Sequence, residues 1–234
     1  DVNSDTSCRE AAVKISKLRQ GRALSLVNNA GVGLDLPWKP TPWRACLARD
    51  TLDVNLFGVK RITEALLPQL TNSGAGRIIF LSSGGSWKNM RKMSDDRRTL
   101  MQSNALLWPE LEDLCQQFIT EYEEAANAQR PVDPNSQLPY MSPSGLWLQS
   151  YGFSKACVNA YCGILARSNP SVLCVSCAPG MVNTDLVKER AVDDELKSVD
   201  EGGDVPAWLA CVAEVETGCF YQPDRSKFVR KRKD

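Results

Sequence analysis

The chain has 234 residues, 43% of them apolar and 24% charged, enough for one large domain with a substantial core. Basic and acidic residues both number 28, so no global charge draws the chain to nucleic acid or an acidic surface. There is no histidine, which excludes Ser-His-Asp and Cys-His catalysis, and no stretch reaches the roughly 18 apolar residues of a membrane span.

Short apolar runs alternate with helical patterns, the mark of an α/β domain with a parallel sheet. A helix over Ser7 to Leu18 comes first. A strand, Ala23 to Val27, ends in the loop Asn28-Asn29-Ala30-Gly31. Thr51 to Leu70 carries Leu52, Leu56, Val59, Ile62, Leu66, Leu67 and Leu70 at helical spacing. Arg77 to Leu81 is a second strand, ending in Ser82-Ser83-Gly84-Gly85. Trp87 to Ser150 is polar and its bland reading is a surface insertion, but an amphipathic helix from Leu106 to Tyr122 has an apolar face to bury and is expected to pack near the Tyr151 helix. Arg130 to Pro143 reads as a loop. A helix from Tyr151 to Arg167 follows, then a strand from Val172 to Cys177 ending in Ala178-Pro179-Gly180. Gly218 to Tyr221 is a weaker last strand, and the basic run Arg230 to Lys233 reads as a solvated tail.

Nine cysteines, an odd number scattered through apolar segments, suit reduced, packed thiols in a cytoplasmic protein. Cys174-x-x-Cys177 has the spacing of a redox or metal pair. It lies inside an apolar strand, so both residues read as buried small hydrophobes. The opening residues do not read as a signal peptide.

Tyr151 and Lys155 are four residues apart, on one face of a helix. A phenol ordinarily titrates near about 10, and a neighbouring ammonium lowers that value. Such a pair can donate and accept a proton near neutral pH. Three loops meet it, because ligands of open parallel sheets bind beyond the carboxyl ends of the strands. These are Asn28 to Gly31, Ser82 to Gly85 and Pro179-Gly180.

The set Asn28-Asn29-Ala30-Gly31, Asn55, Ser83, Tyr151-x-x-x-Lys155 and Pro179-Gly180, in that order, resembles the short-chain dehydrogenase/reductase family. The resemblance spans nearly the whole chain. It implies a Rossmann-like doubly wound sheet in one domain over 1–234, with the insertion at about 87–150. It also implies hydride transfer between NADPH, rather than NADH, and a small ketone, aldehyde or quinone. Tyr151 would be the proton donor. Lys155 would lower the Tyr151 pKa and hold the nicotinamide ribose. Ser83 would bond the substrate oxygen, with Ser82 as the near alternative, and Asn55 would support a relay water near Lys155. Asn28, Asn29, Ala30 and Gly31 would line the cofactor. Pro179 and Gly180, with Val182 and Thr184, would surround the nicotinamide amide. Asp1, in Asp1-Val2, would approach the adenine. The long insertion and the stretch Asp200 to Ala210 are closest to the carbonyl reductase branch, usually monomeric.

The family opens with a strand and a glycine-rich turn, Thr-Gly-x-x-x-Gly-x-Gly, that receives the pyrophosphate at a helix N-terminus. This chain lacks that turn. The sheet is therefore expected to be incomplete, without its first three strands. The strand at Ala23 to Val27 would become an exposed edge, and residues 1–234 alone would not turn over NADPH. A truncated, non-catalytic homologue is the alternative reading.

Overall fold

A computed structural model describes residues 1–36, 38, 44–128, 141–187, 196–211 and 214–228. The loop expected from Arg130 and the basic run at Arg230 to Lys233 fall largely or wholly outside these.

Four parallel strands form the sheet, in the order β1 (Ser25–Asn28), β2 (Arg77–Leu81), β3 (Leu173–Cys177) and β4 (Phe220–Tyr221). The central strands are short apolar runs because both faces are covered. Ile78, Phe80 and Cys174 face one core, with the helices α1 (Asp5–Arg19), α2 (Cys46–Leu52), α3 (Val59–Thr71), α6 (Trp108–Asn127) and α7 (Ser150–Ser168). Ile79, Leu81, Val175 and Cys177 face the other, under α8 (Val199–Cys211). Cys174 and Cys177 thus point to opposite faces of the sheet and cannot share a metal or a disulfide. β1 is the edge, and its Val27 is 39% exposed.

The expected helix from Thr51 to Leu70 is present and continuous in helical backbone, with a change of pitch inside it. α2 passes into one π-helical stretch, Asp53–Gly58, before α3 begins. Such bulges mark places where a side chain needs a position the α-helix does not give. Here it is Asn55, buried and aimed at the loop after β1.

The insertion is not a surface appendage. α4 (Gly84–Lys92), α5 (Asp95–Met101) and α6 contribute Met90, Met101, Leu111, Leu114, Phe118 and Tyr122 to the main core. Phe118 of α6 stacks on Phe153 of α7 at 3.9 Å between ring centroids, so the insertion and the helix carrying Tyr151 share one packed layer. α6 starts with Pro109 in its first turn and Glu110 accepting from Leu107 N at 2.8 Å, two ordinary N-terminal devices. α8, absent from the expected elements, is introduced by the reciprocal pair Ser198 and Glu201. Glu201 accepts from Ser198 N at 2.7 Å, and Ser198 accepts from Glu201 N at 3.2 Å, a capping box readable as Ser-x-x-Glu.

Candidate active site

β2 ends at Ser82 and Ser83, and there the two serines diverge. Ser82 is buried and its hydroxyl donates to the Lys155 carbonyl at 3.2 Å. Ser83 is the N-cap of α4, accepting from Gly85 N at 3.1 Å, and its side chain lies by the Tyr151 ring beside Gly85, where it pulls the phenol pKa down. The serine at the phenol is therefore Ser83.

Lys155 lies one turn along α7, 5% exposed, its Nζ donating to the Leu81 carbonyl at 2.7 Å. Nζ sits 5.9 Å from the centre of the Tyr151 ring. Burial pulls the Lys155 pKa down to about 8. Tyr151 moves the other way from the sequence expectation. Burial raises its phenol above the ordinary value, and the Ser83 side chain is the opposing influence. Desolvation acts on both groups and outweighs the neighbouring ammonium.

That depressed lysine has a measurable signature. Between about 8 and its ordinary 10.5, the folded chain holds fewer protons than the unfolded one, so this group makes stability rise with pH across that window. Below it, holding the charge costs on the order of 3 kcal/mol, from 2.5 units of depression (10.5 minus 8). Lys155→Met should therefore melt at a higher temperature than wild type near neutral pH, with the advantage shrinking as the pH approaches 10. Melting scanned across pH tests this. An advantage that stays constant to pH 10 would remove the buried charge as its cause.

Asn55 is fully buried. Its Nδ2 donates to the Val32 carbonyl at 2.8 Å and to Ser154 Oγ at 2.9 Å, and its Oδ1 accepts from Val32 N at 2.8 Å. It locks the loop after β1 to α7, a partnership with Ser154 that the motifs did not reveal. A Cβ on Gly31 would lie 3.3 Å from both Asn55 Oδ1 and Lys155 Nζ, so Gly31 is glycine where the loop passes over that pair. Asn29, Ala30 and Gly31 are exposed at the rim. Asn28 is instead turned into the core, donating to Thr63 Oγ1 at 3.0 Å.

On the far side, Gly180 takes φ +92, a conformation that suits glycine, with the Lys197 stem 3.4 Å from where its Cβ would be. Pro179 is half-buried beside it. Val182 is buried against Gly202 of α8, where a Cβ would come within 2.5 Å of its Cγ2, so only its backbone is left to meet a ligand. Thr184 is exposed, its hydroxyl donating to the Val182 carbonyl at 3.4 Å. Asp1 lies in a turn before α1, and its carboxylate accepts from Asn3 N at 2.9 Å.

A half-buried Tyr151 and a buried Lys155, with a serine at the phenol, sit beyond the carboxyl ends of parallel strands. The chain is similar to the short-chain dehydrogenase/reductase family, with carbonyl reductases among its relatives. Residues 1–94 match the family described as short chain dehydrogenase. Carbonyl reductase [NADPH] 3 of Rattus norvegicus is 28% identical, covering 88% of this chain and 68% of that protein. (+)-Neomenthol dehydrogenase of Arabidopsis thaliana is 26% identical over 93% of this chain and 74% of its own length. Salutaridine reductase from Papaver somniferum shares the fold with a TM-score of 0.73, at 24% identity, over 94% of this chain and 80% of that one. The chain is thus similar to oxidoreductases that act on carbonyl compounds. Among the described residues no helix is long and apolar enough to cross a membrane, and no cluster of side chains could hold a metal ion.

Proposed function

We propose that this chain's site reduces a small ketone, aldehyde or quinone with NADPH, Tyr151 donating the proton. This goes beyond the sequence expectation that residues 1–234 alone would not turn over NADPH, which the titration and assay below test directly. The observation that carries the reading is the Ser83–Tyr151–Lys155 arrangement beside the Gly31 loop. Bound NADPH supplies a hydride to the carbonyl carbon. The residues present fit its nicotinamide end: Asn29 to Gly31 form an exposed rim, Gly31 leaves the gap over Asn55 and Lys155, and Pro179-Gly180 with the Val182 backbone and Thr184 face it. Lys155 holds the ribose and brings a positive charge near the phenol.

The chain's own residues do the proton work. Ser83 and Tyr151 hydrogen-bond the substrate oxygen. As negative charge grows on that oxygen, Tyr151 passes its proton to it and the carbonyl becomes an alcohol. Burial keeps the phenol protonated at neutral pH, the form reduction requires. Reduction is therefore expected to be flat through neutral pH and to fall at alkaline pH, whereas alcohol oxidation, which needs the phenolate, rises. Rates in both directions across pH check this. A reduction rate that climbs with pH would contradict it.

The preference for NADPH rests on the carbonyl reductase [NADPH] relatives. We place the protein in the cytoplasm on the strength of its unpaired thiols, and read it as a monomer because α6 packs on α7. The competing reading is a homologue that no longer binds a dinucleotide. Purified chain titrated with NADPH by fluorescence, then assayed with a panel of ketones, aldehydes and quinones, separates the two. Saturable binding with turnover supports the enzyme, and no binding supports the homologue.

A further inference from the structure

The first backbone N–H groups of a helix have no partner within it. At the start of α7, the Gln149 amide oxygen accepts from Gly152 N at 2.7 Å. The Ser150 and Tyr151 N–H groups go elsewhere, to the carboxylate of Asp35. Its Oδ2 accepts from Ser150 N at 2.6 Å and its Oδ1 from Tyr151 N at 3.2 Å. Asp35 belongs to the loop that also carries Gly31 and Val32. The Gln149 amide donates to the same carboxylate at 3.4 Å, and the Tyr122 hydroxyl of α6 lies 3.4 Å away. The groups facing the carboxylate among the described residues are these two, the Ser150 hydroxyl and the backbone N–H groups of Ser150, Tyr151 and Asp35 itself, and none carries a charge.

A neutral amide has one acceptor oxygen and in this place could take only one of these two N–H groups, as Gln149 takes the single N–H of Gly152. Burial pushes the Asp35 carboxyl above its usual range, and the Ser150 and Tyr151 N–H groups with the Ser150 hydroxyl oppose that rise. Ionised at the alkaline pH where a phenol titrates, the carboxylate does more. A helix N-terminus carries the equivalent of about half a positive charge, here beside Tyr151 itself. Left alone, that charge favours the phenolate. A negative charge on the same N–H groups cancels it.

We propose that Asp35 is a positioning residue for the Tyr151–Lys155 pair, pinning the first turn of α7 to the loop after β1 and, by cancelling the positive helix end, keeping the Tyr151 phenol protonated. This rests on Tyr151 acting as the proton donor. It adds a residue from outside the motif set, tied to the reacting group through that group's own backbone N–H.

The test is the Tyr151 titration, read as near-ultraviolet phenolate absorbance in difference against Tyr151→Phe. That readout needs no turnover, so a wild type that reduces no carbonyl would sink the proposed function and leave this measurement intact. Asp35→Asn keeps the shape and removes the charge. The Tyr151 midpoint should fall by about 0.5–1 pH unit, and the alkaline limb of any reduction should fall with it. A purely structural role would lower activity without moving either. Asp35→Asn combined with Gln149→Glu returns an anion to the same helix end and should restore the midpoint. An unmoved midpoint in the single variant, or a fall that the double variant does not reverse, overturns the proposal. If Asp35→Asn does not fold, Gln149→Glu alone adds a second anion and must raise the midpoint, and no rise overturns it.

Discussion

Tyr151→Phe is expected to lower the rate of carbonyl reduction by about 10²–10⁴-fold while NADPH affinity stays within a few-fold of wild type. The ring remains, so its packing beside Gly85, whose Cβ would lie 3.7 Å from Tyr151 Cε1, is kept. What goes is the hydroxyl beside Ser83, the group that supplies the proton. The cofactor contacts assigned to Lys155, Gly31 and Thr184 are untouched. A loss confined to the chemical step appears as a fall in kcat and kcat/KM together. Fluorescence titration of NADPH alongside steady-state kinetics reads both. Activity within tenfold of wild type would remove Tyr151 from its role.

The largest effect on stability is expected from Phe118→Ala. Phe118 and Phe153 are both fully buried, stacked at 3.9 Å and within 3° of parallel. Tyr122, also fully buried, lies one turn along α6 with its ring 6.0 Å from Phe118. Deleting such a ring costs roughly 3–5 kcal/mol, from lost burial plus the cavity left behind, against a total of about 5–15 kcal/mol for an ordinary domain. Because Phe153 sits two residues from Tyr151, the cavity also loosens the helix that carries the site. Denaturant unfolding should show a large fall in midpoint, with activity lost before global unfolding. A fall below about 1 kcal/mol would mean that α6 is an appendage after all.

Much of this was legible in the chain because the signals were local. β2 runs from Arg77 to Leu81 as expected, since an unbroken apolar run is bounded by Gly76 and Ser82. α7 begins one residue before its expected start, and α3 keeps the expected apolar face. Asn29 to Gly31, Ser83, Tyr151 and Pro179-Gly180 fall at strand ends or a helix start, whereas Asn28 turns into the core and Asn55 lies inside the π-helical stretch. What could not be read depends on partners distant in sequence. The π-helical stretch at Asp53–Gly58 serves the bonds of Asn55 to Val32 and Ser154, and no nearby residue announces them. α4 and α5, of nine and seven residues, are too short and polar to show a period, although their methionines reach the core. α8 holds Gly202, Gly203 and Pro206, which read as breakers, while the Ser198 and Glu201 capping box was available and unused. The direction of the Tyr151 shift required knowing its burial, which spacing does not give. Asp35 gave no signal, because an aspartate in a loop is ordinary and only the fold sets it against α7.

The central claim is that this site moves a hydride and a proton onto a carbonyl group. The most direct measurement uses NADPH carrying deuterium on the transferred position of the nicotinamide, mixed with the purified chain and a ketone or quinone, with the product analysed by mass spectrometry. For a ketone, the claim predicts an alcohol labelled on its former carbonyl carbon, formed by wild type and not by Tyr151→Phe. Saturable NADPH binding with no labelled product from any ketone tested, or equal labelling with Tyr151→Phe, would contradict it.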